Sequence, residues 1–144
     1  MSRPQTGDGR TAVTRELDHT ADVALLVTAQ SLPDLFAGAA LGMVRMLAGD
    51  DLSGGREEKV LVLEDVDHES LLVNWLNALL SLSDTEGFVP TSVVVTLSSG
   101  PRLKATIRGL RGAPQRLHAK AATFHMLAIT RRAGSWRTTV VFDV

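Results

Sequence analysis

Two groups of residues, far apart in the chain, could do chemistry together: Asp18-His19-Thr20-Ala21-Asp22 and the closing run Phe142-Asp143-Val144. Residues 137–144 are β-branched and apolar, with no polar tail behind them, which is the composition of a strand. Chain ends fray unless something ties them down. A strand carried to Val144 is therefore expected to hold the Asp143 side chain and the Val144 carboxylate together on a rigid element. Two anionic oxygen groups that close call for a cation, and Asp18 and Asp22 could complete the set. Oxygen donors suit calcium, magnesium or manganese. His19 would admit zinc, but histidines scattered at 19, 68, 118 and 125 and the absence of cysteine speak against a closed zinc site. The competing reading of residues 18–22 is a turn in which the Asp18 side chain caps the backbone.

A second constellation is Lys120-Ala121-Ala122-Thr123-Phe124-His125. On a predicted strand, alternation puts Lys120, Ala122 and Phe124 on one face and Ala121, Thr123 and His125 on the other. Lys120 reads either as a strand-end charge reaching water or as an ammonium that relieves paired carboxylates or holds a phosphate. His125 reads as a hydrogen-bonded structural histidine or a partner contact. Arg108, Arg111 and Arg116, then Arg131 and Arg132, form small basic groups in predicted loops, either solvated or facing a partner. The chain carries no phosphate-binding lysine loop, no G-x-S-x-G, no H-E-x-x-H and no G-x-G-x-x-G after a strand. No independent catalytic centre is expected.

Two amphipathic helices must help to position these groups. From Ser31, residues Leu32, Leu35, Phe36, Ala39, Ala40, Met43, Val44 and Leu47 keep i, i+3, i+4 spacing. Ser31 suits the N-cap, Pro33 the first turn and Gly49 the end. A second stripe, Leu71, Leu72, Trp75, Leu76, Leu79 and Leu80, follows a cap at Asp67. Strands are predicted over residues 12–17, 22–29 and 58–66, with hairpins over 88–97/102–108 and 118–130/136–143. Residues 109–115 are expected to be a loop. Paired strands with two helices between them argue for an α+β fold with a largely antiparallel sheet packed by two main helices.

Composition excludes several classes. The chain has 144 residues, of which 44% are hydrophobic and 22% charged, and this suits one domain with a real core. We expect a disordered lead over residues 1–10 and a single domain over 11–144. Fifteen Lys and Arg against sixteen Asp and Glu give a net charge of -1, so no global basic field draws the protein to nucleic acid. There is no cysteine, which removes disulfides and thiolate zinc sites and fits a reducing compartment. The first ten residues lack the apolar core of a signal peptide, and no apolar run is long enough to span a membrane. A cytoplasmic protein is expected.

Five stretches then resemble one family, the archeases. They are Asp18-His19-Thr20-Ala21-Asp22-Val23, Ser31-Leu32-Pro33-Asp34-Leu35-Phe36, Leu71-Leu72-Val73-Asn74-Trp75-Leu76-Asn77-Ala78-Leu79-Leu80, Lys120-Ala121-Ala122-Thr123-Phe124-His125 and Phe142-Asp143-Val144. They fall in family order and spacing from about residue 12 onward. The resemblance implies a small α+β protein of strand-helix-strand-strand (SHS2-like) construction. It implies a non-catalytic helper that promotes guanylylation and multiple turnover of an RtcB-type RNA-splicing ligase. That ligase joins RNA ends using GTP and manganese in tRNA splicing and RNA repair, so RNA and GTP would be met through the ligase and not by this chain. The family's metal site, which takes calcium, falls on Asp22, Asp143 and the Val144 terminal group, and its functionally important lysine on Lys120. Asp18 lies beside that site as support, with His19 and His125 as neighbouring or partner-contact residues. Phe124 stands where the family has tyrosine. Two readings from other classes remain beside this one: a metal- or small-ligand-binding module that regulates a different enzyme, and a hydrolase using the carboxylates as metal ligands.

Overall fold

Local signals in the sequence start and stop both helices. The computed structural model describes residues 4–18, 22–50, 52–115 and 117–144, with the backbone alone for Leu17 and Asp18. Helix α1 (Leu32–Ala48) begins at Ser31, whose hydroxyl accepts the Asp34 N–H at 3.2 Å, and ends at Gly49. Helix α2 (His68–Glu86) begins at Asp67, whose carboxylate accepts the Ser70 N–H at 2.7 Å. It ends at Gly87, which takes the left-handed φ of 66° that favours a residue without a Cβ. Both helices bury their apolar stripes, with Leu35, Phe36, Leu71, Leu72, Trp75 and Leu76 wholly enclosed.

The strands are β1 (Gln5–Gly7), β2 (Val13–Asp18), β3 (Asp22–Ala29), β4 (Glu57–Glu64), β5 (Phe88–Ser98), β6 (Arg102–Arg111), β7 (Ala121–Thr123), β8 (Thr130–Arg132) and β9 (Ser135–Asp143). They fall into two sheets, one in the order β1-β5-β6-β4 and the other β2-β3-β9-β7, with β8 pairing the other end of β9. All pairings among the described residues are antiparallel. The helices contact both sheets: α1 packs on β5 and β3, and α2 on β5 and β7. One core therefore joins the whole, drawing Val93, Val95, Leu103 and Ile107 from the first sheet and Leu25, Val27, Val140 and Phe142 from the second. The fold is α+β with antiparallel sheets and two main helices, as the sequence predicts. No helix among the described residues is long and apolar enough to cross a membrane.

Three expectations are corrected. The sequence predicts a disordered lead over residues 1–10, but Gln5–Gly7 form β1 against β5, with Gln5 opposite Leu97 and Gly7 opposite Val95. Asp34 anchors this stretch, accepting the Gly9 N–H at 3.2 Å and the Thr11 hydroxyl at 2.7 Å. Gly7 is required there, because a Cβ would come within 2.5 Å of the Asp34 nitrogen. The expected loop over 109–115 begins later, since β6 runs to Arg111. The strand predicted over 118–130 is two short strands, β7 and β8, set on the same edge of β9. The Thr123 hydroxyl donates to the Val141 carbonyl at 3.0 Å, the chain turns through His125 and Met126, and Leu127 N–H closes the turn on Phe124 at 3.0 Å. Leu127 and Ile129 pack on the core from outside the sheet, so the apolar pattern serves loop packing and not a continuous strand.

Candidate metal and partner site

Strand β9 lies inside its sheet, and that places the proposed acidic residues. Asp143 is the register partner of Asp22 on β3 and of Ala121 on β7. One row therefore crosses the sheet as Asp22, Asp143, Ala121. The next row is Val23, Phe142, Ala122, whose Phe142 and Ala122 are buried in the core. Alternation then turns Asp143 to the outer face, where it is exposed and Asp22 half-buried. Residues directly opposite in an antiparallel pair have Cβ atoms about 4.5–5.5 Å apart, and like charges there destabilise the sheet. Among the described residues neither carboxylate makes an ion pair. Val144 follows directly and is 39% exposed.

Lys120 joins this end through its backbone. Its N–H donates to the Asp143 carbonyl at 2.8 Å, extending the β7–β9 ladder by one bond. The Lys120 side chain is exposed, and its ammonium lies beyond 4.0 Å of any carboxylate oxygen among the described residues. His125 is not brought to the row. It follows β7 at the end away from Lys120, in the exposed turn, with its N–H donating to Thr123 Oγ1 at 3.3 Å. Asp18 ends β2 opposite Val23 in the backbone register, one position from Asp22. Its side chain, and His19 altogether, lie outside the described residues. The sequence thus juxtaposes Asp22, Asp143, Val144 and the Lys120 backbone.

The donor chemistry at this end is all oxygen, which suits hard divalent cations, and it leaves most of six to eight coordination positions to water or a partner. Among the described residues no three or more His, Cys, Asp or Glu side chains gather as a metal cluster. The described side chains at this end contribute two carboxylates, Asp22 and Asp143, and no closed cage.

One residue that supports the site went unread in the sequence. Asn77 of α2 reaches the free edge of β7, where its amide donates to the Ala122 carbonyl at 3.2 Å and accepts the Ala122 N–H at 2.8 Å. This amide pairs β7 as another strand would, and so holds the segment that carries Lys120 against β9. The signal available was an asparagine inside the apolar run Leu71–Leu80, where only a polar partner would justify it. Glu69, from the same helix, accepts the Ile129 N–H at 3.3 Å and fixes the loop between β7 and β8.

Comparison with known proteins sets this geometry among relatives. The model of the Archease protein family matches residues 15–144. The chain is 34% identical over 134 residues to Protein archease of Archaeoglobus fulgidus, covering 90% of this chain and 98% of that protein. It is 29% identical over 136 residues to Protein archease of Methanosarcina mazei, covering 89% and 93%. The solution structure of Methanobacterium thermoautotrophicum protein 1598 superposes with a TM-score of 0.76 at 29% identity, over 91% of this chain and 98% of that one. The crystal structure of an archease from Thermotoga maritima, described as a "possible chaperone", gives 0.66 at 26% identity, over 90% and 96%.

Proposed function

Because the chain belongs to the archease family, we propose that it is a non-catalytic helper of an RtcB-type RNA-splicing ligase. In this reading it promotes guanylylation of the ligase and its multiple turnover in tRNA splicing and RNA repair. The observation that supports this best is the in-register pair of carboxylates, Asp22 and Asp143, on the outer face of adjacent strands. A fold gains nothing by setting two anions side by side without a countercharge. The pair makes sense if a cation or a cationic partner surface meets it.

Asp22, Asp143 and the Val144 carboxylate would hold a divalent cation: calcium, magnesium or manganese. Such a cation would offset their repulsion and bridge them to a partner. Lys120 would stand at the edge of this contact, with Asp18, His19 and His125 around it. GTP is used by the ligase, which also holds the RNA ends that are joined. A helper of this kind acts by positioning the ligase's own cation. It can equally act by binding the guanylylation-competent state better than the resting one, which shifts that population by the differential affinity.

The test is single-turnover guanylylation of the cognate ligase with wild-type and Asp143→Ala helper. Stimulation should fall to the helper-free rate while the circular dichroism of the variant stays native. Full stimulation by a folded variant would refute the assignment. Cation binding is read separately: added calcium should raise the melting temperature, by the equivalent of about 2.7 kcal/mol at a hundred times Kd. The rise should vanish in Asp22→Asn and persist in Asp50→Asn. A calcium-dependent rise without any effect on the ligase would favour a regulatory module for a different enzyme.

A further inference from the structure

The far end of the same strand carries the opposite charge. At the β8–β9 turn, Arg131, Arg132 and Arg137 line one cavity of about 630 Å³ with Thr28, Thr130 and Ser135, and among the described residues no carboxylate lines it. The register explains the gathering. Arg137 lies opposite Thr28 on β3 and opposite Thr130 on β8, so all three share the outer face. Arg132 faces Ser135 on that same face, diagonal to Arg137. Arg131 projects from the other face and is held with its guanidinium 5.3 Å from the centre of the Trp136 ring. Ala133 and Gly134 have φ of 52° and 80°, the tight turn that joins twisted strands with two residues, so the arginines are carried on a short hairpin and not on a long loop.

We propose that this cavity is a phosphate site, taking the phosphodiester groups of RNA or a free polyphosphate. Guanidinium is the side chain whose donor fork matches phosphate oxygens two at a time, and the Thr28 and Ser135 hydroxyls supply further donors, while the Thr130 hydroxyl donates to the Arg137 carbonyl at 3.5 Å. Among the described residues none of these arginines makes an ion pair, whereas Arg102, Arg108 and Arg111 on the other sheet are each paired with a glutamate. Like charges gathered without partners repel one another, so an anion entering the cavity relieves the fold as it binds. The volume is that of an ordinary small-ligand site, enough for a di- or triphosphate or a short stretch of nucleic-acid backbone. Arg137 and Asp143 are six positions apart on β9, so the phosphate site lies about 20 Å from the acidic end on the same face. The proposal does not depend on the ligase reading, because it concerns binding by this chain alone.

The experiment uses the full chain with two probes, sodium pyrophosphate in a thermal-shift assay and a fluorescent short single-stranded RNA in anisotropy, both without divalent cations. Stabilisation or binding by either supports the site, and which probe acts names the source of the phosphate. If RNA binds through the two outer-face arginines, Arg132 and Arg137, the logarithm of affinity should fall with the logarithm of salt at a slope of about -1.4, and Arg137→Gln should lessen that slope by about 0.7. Arg102→Gln with Arg108→Gln should leave both readouts unchanged. Two results would overturn the proposal: neither probe acting on wild type, or binding that survives in the folded triple variant Arg131→Gln, Arg132→Gln, Arg137→Gln.

Discussion

Asn77 stands in for a missing strand. Its amide takes both backbone hydrogen-bonding groups of Ala122 on the side of β7 away from β9. Asn77→Leu keeps the size and removes the partners, leaving a half-buried N–H and C=O unpaired. Each such group costs about 1–3 kcal/mol. The urea midpoint should fall accordingly, and the Ala122 amide should lose hydrogen-exchange protection while α2 keeps its own. Unchanged protection at Ala122 would show that water replaces the amide without loss. At this scale the sequence was legible where chemistry is intrinsic to a residue: the Asp143 side chain and the Val144 carboxylate read as neighbouring oxygen donors on a terminal strand, with Asp18 and Asp22 as acidic residues that could join them. Asn77 was not legible, because what it bonds is settled by where α2 lies over β7.

Elements were legible where local rules decide them and opaque where tertiary contacts do. Ser31, Asp67 and Gly49 cap their helices as their residue types predict, and Gly87 ends α2 in the left-handed conformation. Nothing local distinguishes β1, a polar tripeptide held by Asp34 and by pairing with β5. The α2 cap and an ion network at its far end contribute to the acid behaviour of the molecule. The Ser70 N–H holds the Asp67 carboxyl below its ordinary range. The Arg111 guanidinium, donating from Nη2 at 2.7 Å and from Nε at 2.9 Å, does the same for Glu57. Lys59, at 3.0 Å, followed by Arg111, does so for Glu86. A carboxyl whose folded pKa is depressed adds stability above its unfolded pKa and loses it as pH falls through the folded value. Unfolding free energy should therefore hold steady near neutrality and drop below about pH 4.5, where Glu and then Asp begin to take up protons. Asp67→Asn still caps but cannot ionise, so its acid profile should be flatter than wild type. These groups are solvent-exposed, so the drop in denaturant midpoint is expected to be modest and to shrink with salt.

At the scale of the molecule, the α+β class was legible from helix and strand periodicity, but the division into two sheets was not. Pairings such as Asp22 with Asp143 span most of the chain, and no local signal selects them. That division leaves β4 as the last strand of its sheet, with β6 on one side and, among the described residues, no strand on the other. Its outward residues are Glu58, Val60, Val62 and Glu64, and the two valines are 56% and 47% exposed. An alternating, β-branched strand with a bare backbone edge is a template for another extended chain. Glu58 and Glu64 bracket the valines and act as gatekeepers: a second β4 laid antiparallel in the face-preserving register that centres on Leu61 meets glutamate with glutamate at both ends. Replacing both, Glu58→Val with Glu64→Val, should leave the chain folded and yet make it deposit thioflavin-binding fibrils, with a lag that shortens as concentration rises. Two side chains on the sheet that carries neither the acidic row nor the arginine cavity would thus guard the chain against self-association, and their loss would be felt first as turbidity.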